Sequence, residues 1–358
     1  MGALDVREVG FLIVKKLEQQ FYSDWNKYVR SAKHGLPTQF SLWEQILTES
    51  YGYPCYFLYA IQESAIRGVL PLYLVESSLT GRRLDSMPGA LCADSNEVAQ
   101  ALVNEADALA RELKVSYMLL RDSRQLWSET GLDAVVHHKG VSVSLPSDPD
   151  TMWKSLPRGV RYDIRNGRRK ANLTIKIDRF GLKDFYDVLL WFSRDVGTPL
   201  FSYQFLSNVV EMLPKDYQIV LAYHNQKPLA GYFNFLFADK ILGMWGCALH
   251  EFLDLKVTHQ SFWAIIEKGI EDGFSTFDMG RSPFPSTQYD FKAKWGDSIY
   301  PIYQLFRIYT GKKPSLLTHA ALDGPDIQLN IFRQVWRRLP LNLVGKLGPK
   351  IRWHIPFA

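Results

Sequence analysis

The 358-residue chain is poor in cysteine: Cys55, Cys92 and Cys247 lie far apart, with no CxxC pair and no Cys/His cluster. That argues against a disulfide framework and a zinc site, and it points to a reducing compartment. Long apolar runs are missing too. No window approaches the ~18 uninterrupted apolar residues of a membrane-spanning helix, and the run at 9–14 is brief, with no cleavage-site pattern behind it. A large excess of one charge is missing as well, since the formal net charge is only +5, so where the charges sit matters more than their sum. GxSxG, HExxH and a Walker loop are absent, which removes the local signatures of a serine hydrolase, a zinc hydrolase and a P-loop NTPase. What remains is a globular composition, 47% hydrophobic, 14% aromatic and 22% charged with mixed sign, in a chain long enough for two cores. The expectation is a cytoplasmic protein with no metal and no permanently bound cofactor.

In chain order, residues 9–14 predict a strand and 17–29 a helix carrying Phe21, Trp25 and Tyr28 at i, i+4 and i+7. Ser41 and Glu44 fit a capping box for the next helix, and Gly52 fits its end. Two strands follow, CYFLYAIQ and VLPLYLVES; 81–93 reads as a loop with exposed Arg82 and Arg83; then come a helix over 95–113 and the strands SYMLLRD and VHHKGVSVSLP. In the last of these His137 and His138 point to opposite faces, so they cannot share a metal. A polar joint at 146–150 opens a second pass: NLTIKIDRF, two helices, YQIVLAYHN, a hairpin with Ala238 to Lys240 at its tip, the helix HQSFWAIIEKGIEDG and the strand FSTFDMG. The order of the first half is repeated without repetition of sequence, which predicts a duplicated α/β unit, residues 1–149 and 150–300.

Two stretches concentrate positive charge. Residues 154–183 hold ten Lys or Arg against two Asp. On a helix from about Pro157, Arg161, Arg165 and Arg168 recur at i, i+4 and i+7 as one stripe, with Arg169 and Lys170 beside it. It is either a solvated face or a clamp, because guanidinium groups fork onto phosphate or carboxylate oxygens and keep their charge. The tail, 327–358, has six Lys or Arg and no acid, alternating with Ile331, Phe332, Val335, Trp336, Leu339, Leu341, Leu343 and Val344. It suits an anionic membrane surface and packing on the body equally well. Pro340, Gly345, Gly348 and Pro349 limit it to two short helices.

Residues 273–296, GFSTFDMGRSPFPSTQYDFKAKWG, read as a strand, an Arg-Ser-Pro-Phe-Pro loop and a re-entry. If the re-entry is extended, Lys292 and Lys294 project to one side, either onto an anion or as solvated edge lysines. FDMGRS followed by TQYDFKAKWG resembles the FemAB-like acyltransferases, also described as the BioF2-like or Acetyltransf_6 group, most nearly the members found with exosortase and PEP-CTERM polysaccharide systems. LPRGVRYDIRNGRRKANLTIKI, GTPLFSYQFLSNVVEML, KPLAGYFNFLFADKILGMWGCAL and VWRRLPLNLVGKLGPKI carry the likeness in the same order, over residues 150 to 350 or so. The resemblance implies an α/β (α+β) fold of two tandem GNAT-like (acyl-CoA N-acyltransferase) units with mixed sheets. It also implies that IYPIYQLFRIY, which runs into a segment at 301–326, returns to the first unit, ahead of the basic tail. The Phe-Lys pair that contacts the activated acyl group in the family matches Phe291 and Lys292.

Such sites join an amine to an activated acyl carbonyl by positioning and by stabilising an oxyanion, with little obligatory side-chain machinery. Lys292 is expected to stabilise that charge. Asp278 and Arg281 either orient the acceptor or pair with each other; Tyr203, Trp245 and Tyr289 either line an acceptor groove or fill the core. Asp278, His250, Glu251 and His259 are the general-base candidates, with water or the substrate itself as the alternative. The Arg/Gln-x-x-Gly-x-Gly/Ala loop of acyl-CoA-using GNAT enzymes has no counterpart in LHEFLDLKVTHQ. This weakens acetyl-CoA as donor and leaves the choice among aminoacyl-tRNA, acyl-CoA and a carrier-bound acyl group open, a polyanionic donor being suited to Arg161, Arg165, Arg168, Arg169 and Lys170. Three functions stand open. The first is an N-acyl- or aminoacyltransferase forming an amide on a phosphorylated or glycan amine of a cell-envelope or exopolysaccharide precursor. The second is a catalytically idle double-GNAT module that binds polysaccharide or membrane in an exosortase-linked export system. The third is a nucleic-acid binder, tRNA included, working through the arginine helix. All three are cytoplasmic, peripheral at the inner face of the membrane if 327–358 docks there.

Overall fold

The computed structural model describes residues 11–213, 215–311 and 327–355, the side chains of 327–330 excepted. The chain divides into two compact units, Met1–Val135 with Tyr303–Lys313, and Val136–Ile302 with Pro314–Ala358.

The first unit runs through β1 (Ile13–Lys16), α1 (Tyr22–Ser31), α2 (Trp43–Tyr51), β2 (Cys55–Gln62), β3 (Ala65–Ser77), β4 (Gly81–Ser86), the short β5 (Cys92–Ala93), α3 (Asn96–Glu112) and β6 (Tyr117–Ser123). Strands β1 to β4 form an antiparallel meander. β6 then pairs parallel to β4, Arg83 to Asp85 against Tyr117 to Leu119. A parallel pair needs a crossover, and α3 supplies it. Its apolar face, Val98, Leu102, Ala106 and Ala110, packs with Leu58, Leu70, Leu72 and Met118 in one core.

The second unit takes in most of β7 (Asp133–Ser144), then α4 (Pro149–Ser155), α5 (Arg158–Lys170), β8 (Thr174–Asp178), α6 (Leu182–Val196), α7 (Tyr203–Met212), β9 (Tyr217–His224), β10 (Lys227–Phe237), β11 (Lys240–Ala248), α8 (Val257–Glu271), β12 (Thr276–Pro283) and α9 (Thr287–Lys292). The plan is the same: β8 to β11 are an antiparallel meander, α8 crosses over, and β12 lies parallel to β11 and antiparallel to β7. Met152 of α4, Leu156 just past its end, Val160 and Ile164 of α5, and Phe262 and Ile266 of α8 cover one face of the sheet. On the other face Phe185, Phe201 and Phe205 meet Phe233 and Trp245. β13 (Ser298–Ile308) reaches the first unit, where Tyr303 to Ile308 pair antiparallel with β6. Residues 312–326 lie outside the described set. The tail forms α10 (Ile327–Arg337) and α11 (Leu341–Arg352), both packed on α6.

Several local expectations are corrected. The first helix starts at Tyr22, after a 3-10 turn at Gln19–Phe21, rather than at 17. Ser41 does not cap α2, which begins at Trp43; its N–H and hydroxyl instead meet the Asn26 side-chain amide, both at 2.9 Å. Residues 81–93 are not a loop but contain β4 and β5. Strand alternation sends Arg83 and Asp85 inward. There Asp85 accepts Arg83 Nε at 2.9 Å and Arg121 Nη2 at 2.8 Å, all three side chains buried, while Arg82 stays outside with Glu76. In the tail, Gly345, Gly348 and Pro349 lie inside α11, and of these four breakers only Pro340 falls between the helices, with Arg338 and Leu339.

Candidate active site

β11 and β12 pair for only three residues, Lys240 to Leu242 against Thr276 to Asp278, although both strands run on. Gly280 marks the break. Its φ of 71° lies in the left-handed region, and a Cβ there would stand 2.3 Å from the Gly243 carbonyl oxygen, so only glycine passes. The register of β12 against β7 shifts at the same place, between Asp278 and Arg281.

Around this break the chain builds a compact polar group. Asp278, 3% exposed, accepts the Gly280 N–H at 2.8 Å and the Tyr300 hydroxyl at 2.6 Å. Ser286 caps α9 by accepting the Tyr289 N–H at 3.1 Å, and α9 carries Lys292 back toward β12. The Lys292 ammonium donates to the carbonyls of Met279 at 2.7 Å, Arg281 at 3.1 Å and Gly280 at 3.4 Å. Burial pushes its pKa down from 10.5 to about 8, the Asp278 carboxylate opposing and Arg281 adding to the fall. The extended reading of Lys292 and Lys294 is therefore wrong. A helix and a turn stand there, Lys292 points inward and Lys294 is exposed.

Phe291 packs on the α8 side of the sheet, its ring 4.9 Å from His259 and 5.6 Å from Phe262. Tyr289 meets Phe284 edge-on, and the Lys139 ammonium lies 3.5 Å from the Phe284 ring centre. His259 ties this layer to α5: its Nε2 is 3.3 Å from Asp163, which also binds Lys256 at 2.9 Å. Burial pushes the imidazole down to about 4, Asp163 opposing, so it is neutral at ordinary pH. Of the other base candidates, His250 and Glu251 are exposed, Glu251 beside Lys227.

Not every expected site residue joins the group. Trp245 sits on the opposite face among Phe201, Phe205 and Phe233, and Tyr203 lies edge-on to Tyr186. Neither makes a ring contact or hydrogen bond with Lys292 or Phe291 among the described residues. On α5, Val160, Ile164 and Gly167 are buried. Arg158, Arg161, Arg165 and Arg168 run alongside, and none has an acidic partner among the described residues. Arg165 lies over the Trp153 ring at 5.3 Å. Lys170 is already engaged, 3.1 Å from the Asp254 carbonyl oxygen and 3.7 Å from its carboxylate. Residues 250–255 form a 3-10 helix in place of a glycine loop. No three His, Cys, Asp or Glu side chains gather as a metal set among the described residues.

Tyr300 is the residue the sequence did not reveal. It lay in a strand read only as a connection, yet it holds Asp278. The available signal was Gly140, a glycine in a strand of alternating valines; a Cβ there would lie within 2.4 Å of the Tyr300 ring, the kind of gap a neighbouring ring fills.

Each unit thus has a meander, a crossover helix and a parallel strand whose pairing soon stops, and the fold is two GNAT-like units in tandem. Residues 155–293 match the family described as "Acetyltransferase (GNAT) domain". Among solved structures, the crystal structure of FemX is similar at a TM-score of 0.65 and 14% identity, over 83% of this chain and 97% of that one. A tandem GNAT protein from the clavulanic acid biosynthesis pathway gives a TM-score of 0.54 at 9% identity, over 85% and 100%. The C-terminal domain of a putative lysylphosphatidylglycerol synthetase from Agrobacterium fabrum gives 0.53 at 12%, over 80% and 91%. No curated protein matches the chain in sequence.

Proposed function

We propose that the second unit is an amide-forming transferase in which an amine attacks an activated acyl ester or thioester held at the break between β11 and β12. The observation that carries this reading is the Lys292 ammonium, half-buried and fixed by three backbone carbonyls at that break. An ammonium has three donors, and the longest contact, 3.4 Å to Gly280, is the one a developing oxyanion takes over. Asp278 and Tyr300 hold the turn, and Phe291 backs the acyl group.

The donor is an aminoacyl-tRNA or a carrier-bound acyl group rather than acyl-CoA. Two features support this: residues 250–255 coil into a 3-10 helix with the Phe252 and Lys256 amides bonded internally, and Arg158, Arg161, Arg165 and Arg168 offer an unneutralised stripe. The acceptor is an amine of a cell-envelope or exopolysaccharide precursor at the cytoplasmic face of the membrane. FemX and the lysylphosphatidylglycerol synthetase domain share the fold and lend this class its plausibility.

The test incubates the full chain with charged tRNA or acyl-CoA and candidate amines, with products read by mass spectrometry. Lys292→Met lowers turnover about 100-fold. Because the protonated lysine is the acting species, wild-type transfer falls as pH rises through about 8, and Lys292→Arg moves that limb upward. Reversing Arg161 and Arg168 to Glu weakens tRNA binding and flattens its salt dependence by about two counterions. Undiminished turnover in Lys292→Met sinks the assignment; binding of glycan or membrane with no transfer from any donor favours the idle module.

A further inference from the structure

The tail helices bury one face and leave a second apolar stripe uncovered. In α10, Trp336 is buried with Phe332 stacked on it at 5.4 Å. One position earlier in each case, Ile331 and Val335 are 56% and 55% exposed. α11 repeats the pattern. Val344 is fully buried and Gly348 lies against the Leu200 backbone, while Leu343 and Leu347, again one position earlier, are each 40% exposed. Packing on α6 accounts for the first stripe and not for the second, so each helix turns an aliphatic i, i+4 pair to solvent.

Charge accompanies these stripes. Arg337, Arg338, Lys346 and Lys350 are exposed and Arg333 is half-buried. None of the five has an acidic partner among the described residues, and the stretch from 327 to 358 contains no Asp or Glu. An apolar stripe flanked by unneutralised cations matches a surface that is apolar within and anionic at its rim. No helix among the described residues is long and apolar enough to cross a membrane, so the fit is to the interface rather than the interior.

We infer that α10 and α11 form a docking surface for an anionic phospholipid bilayer, with Ile331, Val335, Leu343 and Leu347 entering the headgroup region and the cations contacting lipid phosphates. Packing on the body and membrane contact, which the sequence leaves as alternatives, are then two faces of the same helices. The inference does not depend on the transfer chemistry, because it is read by binding alone.

The experiment is co-sedimentation of the full chain with phosphatidylcholine vesicles and with vesicles containing phosphatidylglycerol, at low and high salt. Binding is expected only to the anionic vesicles and weakens with salt. Leu343→Ser with Leu347→Ser lowers partitioning about tenfold or more, as does Lys346→Glu with Lys350→Glu. Both pairs are exposed, and an unchanged thermal midpoint establishes that the variants are folded. Equal binding to both vesicle types, or binding that neither pair of substitutions reduces, overturns the proposal. So does a concentration-dependent dimer, seen by light scattering and abolished by the serine pair, since a second copy would then cover the face.

Discussion

Replacing Lys292 by Met removes a titrating group from the interior, and its consequence for stability can be worked out without a substrate. The folded pKa is about 8 against an ordinary 10.5. Between those values the unfolded chain binds a proton that the folded chain does not, so this lysine's contribution to stability rises with pH across the window and is least favourable below it. At about 1.4 kcal/mol per unit the charged lysine costs the fold about 3 kcal/mol near neutrality. Most of that is regained between about pH 7 and about pH 10. The assay is denaturant unfolding of wild type and Lys292→Met at both values, compared as a difference, so that tyrosines and thiols titrating in both proteins cancel. Wild type should gain about 2 to 3 kcal/mol on the variant as pH rises. A difference that stays constant with pH would mean that Lys292 is solvated, and the reasoning about a fixed ammonium at the strand break would fall with it.

Gly280→Ala forces a methyl group within 2.3 Å of the Gly243 carbonyl at a φ of 71°; the variant should lose about 2 kcal/mol or more, and a midpoint within error of wild type would show that the break tolerates a side chain. Asp85→Asn removes the carboxylate that the buried Arg83 and Arg121 share and should lower stability by about 3 to 5 kcal/mol. Loss of less than about 0.5 kcal/mol in that variant would mean that the cluster is hydrated in solution.

Much of this arrangement was legible in the residues. Periodicity found the α3 and α8 crossover helices and the β10–β11 hairpin, because apolar residues at helical or alternating spacing must face a core whatever the partner. The arginine stripe on α5 was legible for the same reason. Three features were not. The direction of Lys292 depended on whether TQYDFK coils or extends, a short segment that the Ser286 cap and its packing against β12 decide. The burial of Arg83 and Arg121 depended on Asp85 arriving between them across β4 and β6. Trp245 and Tyr203 were separated from the site because strand alternation and the helix layers put them on the far face.

Local sequence determined how the longer periodic segments coil or extend and where glycine must break a strand, since those choices rest on side-chain spacing and on backbone sterics within a few residues. Only the tertiary structure decided which charges are buried and which meet solvent. Residues as distant as Asp278, Lys292 and Tyr300 acquire their neighbours, and Lys292 its depressed pKa, once strands remote in the chain are side by side.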